Sequence, residues 1–501
     1  MDATASREPW AAVRETHSGT VVLLGERAWK VKKPVALGFL DFTEPETRRR
    51  VCEREVALNR RLAPDVYLGV GGLVDPDGTT EPAVVMRRMP EDARLSGLLR
   101  RGVDVRDEVD RIARVLGAFH SSAARGPHID VQGSRMAITA RWDASFAQTR
   151  PYAGTALPGV LLTEVETLVH EFLAGRDDLF ADRVRRRAVV DGHGDLTLDD
   201  IFCLPDGPRL LDCLEFDDAL RHLDRLDDVA FLAMGLEDAG APGLAAQLVE
   251  TWADLVGDTA PPALVHHFIA YRAFVRAKVG CLSGAQLDRP PPERVTAYAE
   301  MARDHLLTGA VALVLVGGPP GVGKTTLAHD LADRLGMVVL SSDRLRKEAA
   351  GLDPEAGAAA GFGAGIYSPE RTRATYADML RRAELLLRRG ESVVLDASWT
   401  DAAERELAVD LAAGAHARLV QLRCELGAEA AAERIRGRAG ISDADEEVAR
   451  RLRRREAPWP GSTAVDMRRS PADCADRACA EVRPGARRAP LLRRRPRLEP
   501  D

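Results

Sequence analysis

An uninterrupted apolar run, Val311 to Val316 (VALVLV), feeds directly into Gly318-Pro-Pro-Gly-Val-Gly-Lys-Thr325, and no other feature restricts the fold of this 501-residue chain as tightly. A run of that kind is what a strand buried on both faces of a parallel sheet requires. The GxxxxGK[ST] loop behind it uses Gly318, Gly321 and Gly323 to turn backbone N–H groups inward around phosphate oxygens. Lys324 then reaches the β and γ oxygens, Thr325 ligates magnesium, and the helix opening at Thr326 aims its positive end at the anion. A chance glycine-rich turn would lack the flanking strand and amphipathic helix in this order.

Beyond the loop, strand, helix and strand alternate, the pattern of an α/β domain with a parallel sheet. Met337 to Leu340 reads as a strand ending in Ser341-Ser342-Asp343, and Val393 to Asp396 as another ending in an acid. Acids at the carboxyl ends of strands lie where open α/β sheets bind ligands. Asp396 is thus the candidate magnesium carboxylate, and Asp343 the candidate to orient or deprotonate an acceptor hydroxyl. Helix N-capping is the alternative for each. Arg434 and Arg438 stand four apart on an expected helix and share a face. They read either as a lid over the phosphates or as part of a solvated arginine-rich surface.

Length and a 45% hydrophobic composition lead us to expect two or three domains. A formal net charge of −7 gives no reason to expect a nucleic-acid or membrane-surface partner. No run approaches the roughly 18 apolar residues of a membrane span, the N-terminus does not read as a signal peptide, and the seven cysteines form no CxxC or Cys/His ligand spacing. These features read as a cytoplasmic protein, and neither the small-molecule acceptor implied by the resemblances given below nor the oligomeric state is written in the sequence. Of 70 basic residues only six are lysines (Lys30, Lys32, Lys33, Lys278, Lys324 and Lys347), so a lysine marks a place where a compact ammonium serves better than a planar fork.

The first half has a second constellation. Residues 18 to 37 read as two strands turning at Gly25-Glu26-Arg27, Pro45 to Leu62 as a helix, and Val66 to Val74 and Ala83 to Met86 as further strands. Helical patterns dominate from about 96 to 185 and again from 224 to 306. Between them His193-Gly-Asp195 follows a short strand, and Asp212 follows Leu210-Leu211, a strand read as running from Arg209 to Leu214. Two acids at adjacent strand ends suit phosphoryl transfer: Asp195 accepts the acceptor proton, Asp212 holds magnesium, and Lys30 with the helical Glu55 steadies the phosphates.

Both halves resemble known families. GGPPGVGKTT, SSDRLRK, Gly365-Ile-Tyr-Ser368, VVLDASW and the RxxxR pair look like the P-loop small-molecule kinases of the gluconate kinase and zeta-toxin-like group over about residues 311 to 470. That likeness implies phosphoryl transfer from ATP to a hydroxyl. AWKVKKPV, EREVALNRRL, DGHGDL, LLDCLEF and RLDDVAFL resemble the aminoglycoside phosphotransferase family over about residues 15 to 300, which implies an α+β protein-kinase-like fold, with Asp228 supporting the site. The family pattern HGDxxxxN has asparagine where this chain has Asp200, implied as a magnesium ligand, and the position that is commonly histidine is Thr197. The choice of Lys30 over Lys32 rests on the family register, since both share a strand face. The arrangement resembles bacterial bifunctional aminoglycoside phosphotransferase/ATP-binding proteins, and implies ATP and Mg2+ as cofactors. The expected organisation is therefore a protein-kinase-like domain over 1–308, a P-loop kinase domain over 309–482, and a basic tail over 483–501 that reads as solvated.

Overall fold

The computed structural model describes residues 9–15, 19–34, 42–74, 78–286, 294–353, 368–436 and 457–483. Its contacts divide the chain into two compact units, 1–137 with 183–259, and 138–182 with 260–501. The units do not follow the segments 1–308 and 309–482: the helices Gly159–Ala174, Pro262–Gln286 and Arg294–Thr308 group with the P-loop sheet. The basic tail beyond Arg483 and the segment around Gly365 to Tyr367 lie outside the described residues.

The first unit opens with a five-stranded antiparallel sheet in the order β1-β2-β3-β5-β4, built from β1 (Ala11–Glu15), β2 (Gly19–Leu24), β3 (Arg27–Lys32), β4 (Tyr67–Val74) and β5 (Thr80–Arg87). The expected hairpin is β2–β3, turning at Gly25 with φ +54°. β1 was not legible, because AAVRE has little alternation and is an exposed edge. The helix Pro45–Asn59 starts at a proline and lays Cys52 and Val56 into a core with Tyr67, Val84, Phe202 and Leu211. Two short antiparallel pairs follow, β6 (Val189–Asp191) with β9 (His222–Asp224) and β7 (Ile201–Leu204) with β8 (Gly207–Leu210). The helices Arg106–Ser122, Arg225–Asp238 and Pro242–Val256 pack together beyond them. This is the α+β protein-kinase-like architecture.

The second unit holds a parallel sheet in the order β11-β12-β10-β13-β14, from β10 (Ala312–Gly317), β11 (Val338–Ser341), β12 (Val393–Asp396), β13 (Arg418–Glu425) and β14 (Thr463–Asp466). β10 is central and buried on both faces. Its Ala312, Val314 and Val316 pack on Leu327, Leu331, Ala475 and Ala478, while Leu313 and Leu315 are equally buried on the opposite face. The chain leaves β10 for one edge and later crosses to the other side at β13, so the carboxyl end of β10 is a topological switch point. No helix among the described residues is long and apolar enough to cross a membrane.

Candidate phosphoryl-transfer sites

In the first unit, Lys30 and Lys32 alternate along β3 and therefore point to one face. Glu55, fully buried on the helix Pro45–Asn59, meets both: its Oε1 lies 2.9 Å from Lys30 Nζ and its Oε2 2.7 Å from Lys32 Nζ. Lys30 also ion-pairs with Asp212, and Lys32 lies 2.5 Å from Glu215 Oε1. Burial works against the Lys30 charge, but Asp212 and Glu55 outweigh it and lift its pKa well above the ordinary lysine range. Desolvation likewise opposes the Asp212 carboxylate, and Lys30 overcomes it, leaving that pKa below the usual range.

Asp212 lies two residues beyond β8 rather than at its end, because the strand expected to reach Leu214 stops at Leu210. Its backbone is left-handed, φ +62°, which a non-glycine residue adopts only where the surroundings hold it. Here the Asp212 N–H donates to the Tyr67 hydroxyl at 3.1 Å and the Cys213 N–H to Asn59 Oδ1 at 2.8 Å. The β5–β4 sheet and the Glu55 helix thereby both grip the acid-bearing loop.

Asp195 follows β6, which pairs with β9, whereas Asp212 follows β8, which pairs with β7; the two acids do not end neighbouring strands. Their segments are joined instead by His193. Its Nε2–H donates to the Leu211 carbonyl at 3.1 Å, its Nδ1 accepts from the Asp195 N–H at 3.3 Å, and its carbonyl accepts from the Leu214 N–H at 3.1 Å. Burial lowers the His193 pKa to about 4, so the ring is neutral, as these bonds require.

Below this loop, the fully buried Asp228 accepts from the His193 N–H at 2.7 Å and the Gly194 N–H at 2.8 Å. A Cβ at position 192 would fall 2.3 Å from Asp228 Oδ2, so this carboxylate needs glycine there. His120 Nε2 stands 3.3 Å from the same oxygen. Burial alone would raise the Asp228 pKa; the His120 bond and the His193 N–H bring it to about 2.

Asp200 sits in the 3-10 turn Leu198–Asp200 and accepts from the Thr197 hydroxyl at 2.6 Å. The two departures from the family pattern therefore bond to each other. Burial, with the charges of Asp212 and Asp195, pushes Asp200 up to about 7.

In the second unit, the P-loop glycines all have positive φ: Gly318 at 133°, Gly321 at 82° and Gly323 at 105°. An added Cβ would lie 2.8 Å from the Cys424 carbonyl at Gly318 and 2.6 Å from the Ala431 carbonyl at Gly321. The helix begins at Lys324, two residues before the Thr326 expected, so Thr326 is an exposed residue of its first turn. Lys324 Nζ donates to the Pro319 carbonyl at 3.0 Å, folding the ammonium over the loop. The Thr325 hydroxyl donates to Asp396 Oδ2 at 2.8 Å. Burial raises the Asp396 pKa against the pull of Lys324 and the Thr325 bond.

Asp343 lies in the first turn of the helix Ser342–Ala349, after the N-cap Ser341, and its carboxylate accepts from Arg346 at 2.8 Å. Arg434, on the helix Ala428–Arg436, donates to the carbonyls of Val322 at 3.2 Å and Met467 at 3.1 Å, so it is fastened to the P-loop backbone. Arg438 lies outside the described residues. A cavity of about 310 Å³ lined by Gly321, Gly323, Thr326, Arg434, Met467 and Arg469 adjoins the loop.

These residues fit magnesium and ATP by the chemistry of their donors. The P-loop is a cradle whose glycines cannot carry a Cβ, and Thr325 with Asp396 offers hard oxygens at its floor. Among the described residues no three His, Cys, Asp or Glu side chains converge as a metal cluster. Sequence reasoning named Lys30, Glu55, Asp195, Asp200, Asp212 and Asp228, and weighed Lys32 against Lys30, but missed Glu215, His120 and the structural part of His193. The i, i+2 spacing of the lysines was the one signal for Lys32; the other contacts join residues too distant in sequence to be paired by pattern.

Residues 313–458 match the family described as an AAA domain. Over 461 residues the chain is 43% identical to the Mycobacterium tuberculosis protein Rv2004c and to the Mycobacterium bovis protein Mb2027c, covering 92% of this chain and 93% of each relative. Among solved structures, a sugar kinase from Janibacter is 18% identical with a TM-score of 0.28, over 35% of this chain and 96% of its own. A choline/ethanolamine kinase family protein from Mesorhizobium loti is 16% identical with a TM-score of 0.38, over 60% of this chain and 88% of its own.

Proposed function

Because this chain belongs to the family of the mycobacterial protein Rv2004c, matched along nearly the full length of both, we propose one function for its two units together: an ATP-dependent phosphotransferase that passes phosphate to hydroxyl groups of small molecules, with a magnesium–ATP site in each unit. The observation that carries the reading is the ion pairing of Lys30 with both Glu55 and Asp212, a phosphate lysine, its helical partner and a metal acid brought together in a chain that also has a complete P-loop.

Magnesium-bound ATP supplies the phosphoryl group and neutralises its charge. In the first unit Lys30 would hold phosphate oxygens, Glu55 holds the Lys30 ammonium through its Oε1, and Asp212 with Asp200 would hold the metal. Asp195, on the loop anchored by Asp228, takes the proton of the acceptor hydroxyl. In the second unit the P-loop N–H groups and Lys324 would hold phosphate, Thr325 and Asp396 would hold the metal, and Asp343, oriented by Arg346, would take the acceptor proton. Arg434 steadies the P-loop through the carbonyls of Val322 and Met467. The acceptor class we favour is a sugar, polyol or aminocyclitol.

A second reading keeps the first unit as a ligand-sensing module on a single active P-loop kinase. It is favoured by Asp200, which stands where the resembled family has asparagine and is held near neutrality by burial with a pKa of about 7. Phosphoryl transfer from labelled ATP to a panel of polyols, sugars and aminocyclitols separates the two, using the full chain and its Asp195→Asn and Lys324→Ala variants. Two catalysts require that each variant lose transfer to a different acceptor subset. Transfer indifferent to Asp195→Asn and abolished by Lys324→Ala would leave the sensing module.

A further inference from the structure

We infer that Lys32 and Glu215 are positioning residues of the first unit's site: by holding one oxygen of Glu55, Lys32 keeps that carboxylate from closing on Lys30, and so leaves Lys30 available to phosphate. The inference deepens the proposed ATP site of that unit and rests on it.

Five side chains form an unbroken chain of alternating charge, Asp212–Lys30–Glu55–Lys32–Glu215. Its two ends lie three residues apart on the loop that follows β8, and its two lysines alternate on β3. Glu55 is at the centre and gives one oxygen to each lysine, 2.9 Å to Lys30 and 2.7 Å to Lys32. The two lysines differ in exposure. Lys30 keeps 12% of its side chain exposed and reaches the metal acid; Lys32 keeps 1% and reaches Glu215, itself 10% exposed. Lys32 is therefore closed off from any ligand, and its ion-pair partners are Glu55 and Glu215.

In a buried, low-dielectric site each carboxylate–ammonium contact counts for more than in water, so which ammonium each Glu55 oxygen faces matters. With Lys32 in place, one of the two Glu55 oxygens is committed to an ion pair away from Lys30. Without Lys32, both oxygens turn to Lys30, and the lysine is bound more tightly to protein at the expense of phosphate. Loss of Glu215 acts in the opposite sense: Lys32 then bonds Glu55 alone, and the hold on Lys30 slackens. A buried pair with a purely structural role predicts something different, since removing either partner strands a buried charge and removing both restores neutrality.

The test is calorimetric titration of a non-hydrolysable ATP analogue with magnesium into full-length protein carrying Lys324→Ala, which leaves the first unit's site as the one observed. Lys32→Met and the double variant Lys32→Met/Glu215→Gln are expected to bind about tenfold more weakly than this parent, and Glu215→Gln alone at least as tightly as it. A double variant that binds like the parent, or Glu215→Gln weakened as much as Lys32→Met, overturns the positioning role. The double variant leaves no unpaired buried charge, so it keeps the test decisive if Lys32→Met alone does not fold. A Lys324→Ala parent that binds no analogue refutes the ATP site itself, and the inference with it.

Discussion

The indole N–H of Trp252 donates to Nδ1 of His120 over 3.0 Å, and this one bond fixes which nitrogen of His120 faces Asp228. An accepting Nδ1 carries no proton, so Nε2–H is the donor toward Asp228 Oδ2, 3.3 Å away. Trp252, His120 and Asp228 are all fully buried, and the last of them holds the backbone of the His193–Asp195 loop. The orientation of a candidate catalytic loop is thereby set from the helix Pro242–Val256, far along the chain.

Trp252→Phe keeps the ring and removes the donor, leaving a buried acceptor unsatisfied. The expected cost is about 1–3 kcal/mol, read as a lower denaturant midpoint for the first unit by tryptophan-independent circular dichroism. An unchanged midpoint would show that the His120 tautomer is set by something else.

Asp228 predicts an acid-labile first unit. Its folded pKa, about 2, lies below the ordinary carboxylate value, so its contribution is complete above the unfolded pKa and is lost as pH falls toward 2. A depression of this size corresponds to about 2 kcal/mol. Unfolding free energy measured between pH 5 and pH 2 should therefore fall more steeply in the parent than in Asp228→Asn. Parallel curves would remove Asp228 from the explanation.

Gly321→Ala should weaken nucleotide binding at the P-loop without unfolding the second unit. The position has φ +82°, and a Cβ there would meet the Ala431 carbonyl at 2.6 Å. Gly414→Ala is the matched control, since its Cβ would meet nothing within 4 Å. Calorimetry on a background carrying Lys30→Met should show more than tenfold weaker analogue binding for the first substitution and none of that loss for the second.

Asp396→Asn preserves an acceptor for the Thr325 hydroxyl, 2.8 Å away in the parent, but removes the charge at the floor of the P-loop. Magnesium-dependent ATP turnover by the second unit is expected to fall on the order of 10²-fold, with metal-free nucleotide binding retained. Turnover within a factor of two of the parent would transfer the metal to another acid.

The P-loop half was legible because its signals are local. A buried strand, three glycines, a lysine and a threonine follow one another without a gap, and backbone geometry leaves such a segment little choice. Lys30, Glu55, Asp195 and Asp212 could be named because each sits in a short recognisable segment of a known order. β1 was missed because an exposed edge strand needs no apolar alternation. The β8 strand was drawn too long because Leu211 is apolar, yet it serves the core shared with Tyr67 and Val84 rather than a ladder.

By itself the sequence determined the elements and the chemical groups available: a parallel α/β sheet around VALVLV, an antiparallel sheet carrying two lysines, and acids after strands. These follow from periodicity and turn chemistry, which act over a few residues. The tertiary structure alone decided which charges meet. Glu55 is shared by Lys30 and Lys32, and Asp228 cradles the His193 loop. Such pairings depend on burial and on the closing of loops between residues far apart, and a buried charge accepts only the partner that the assembled core brings within reach.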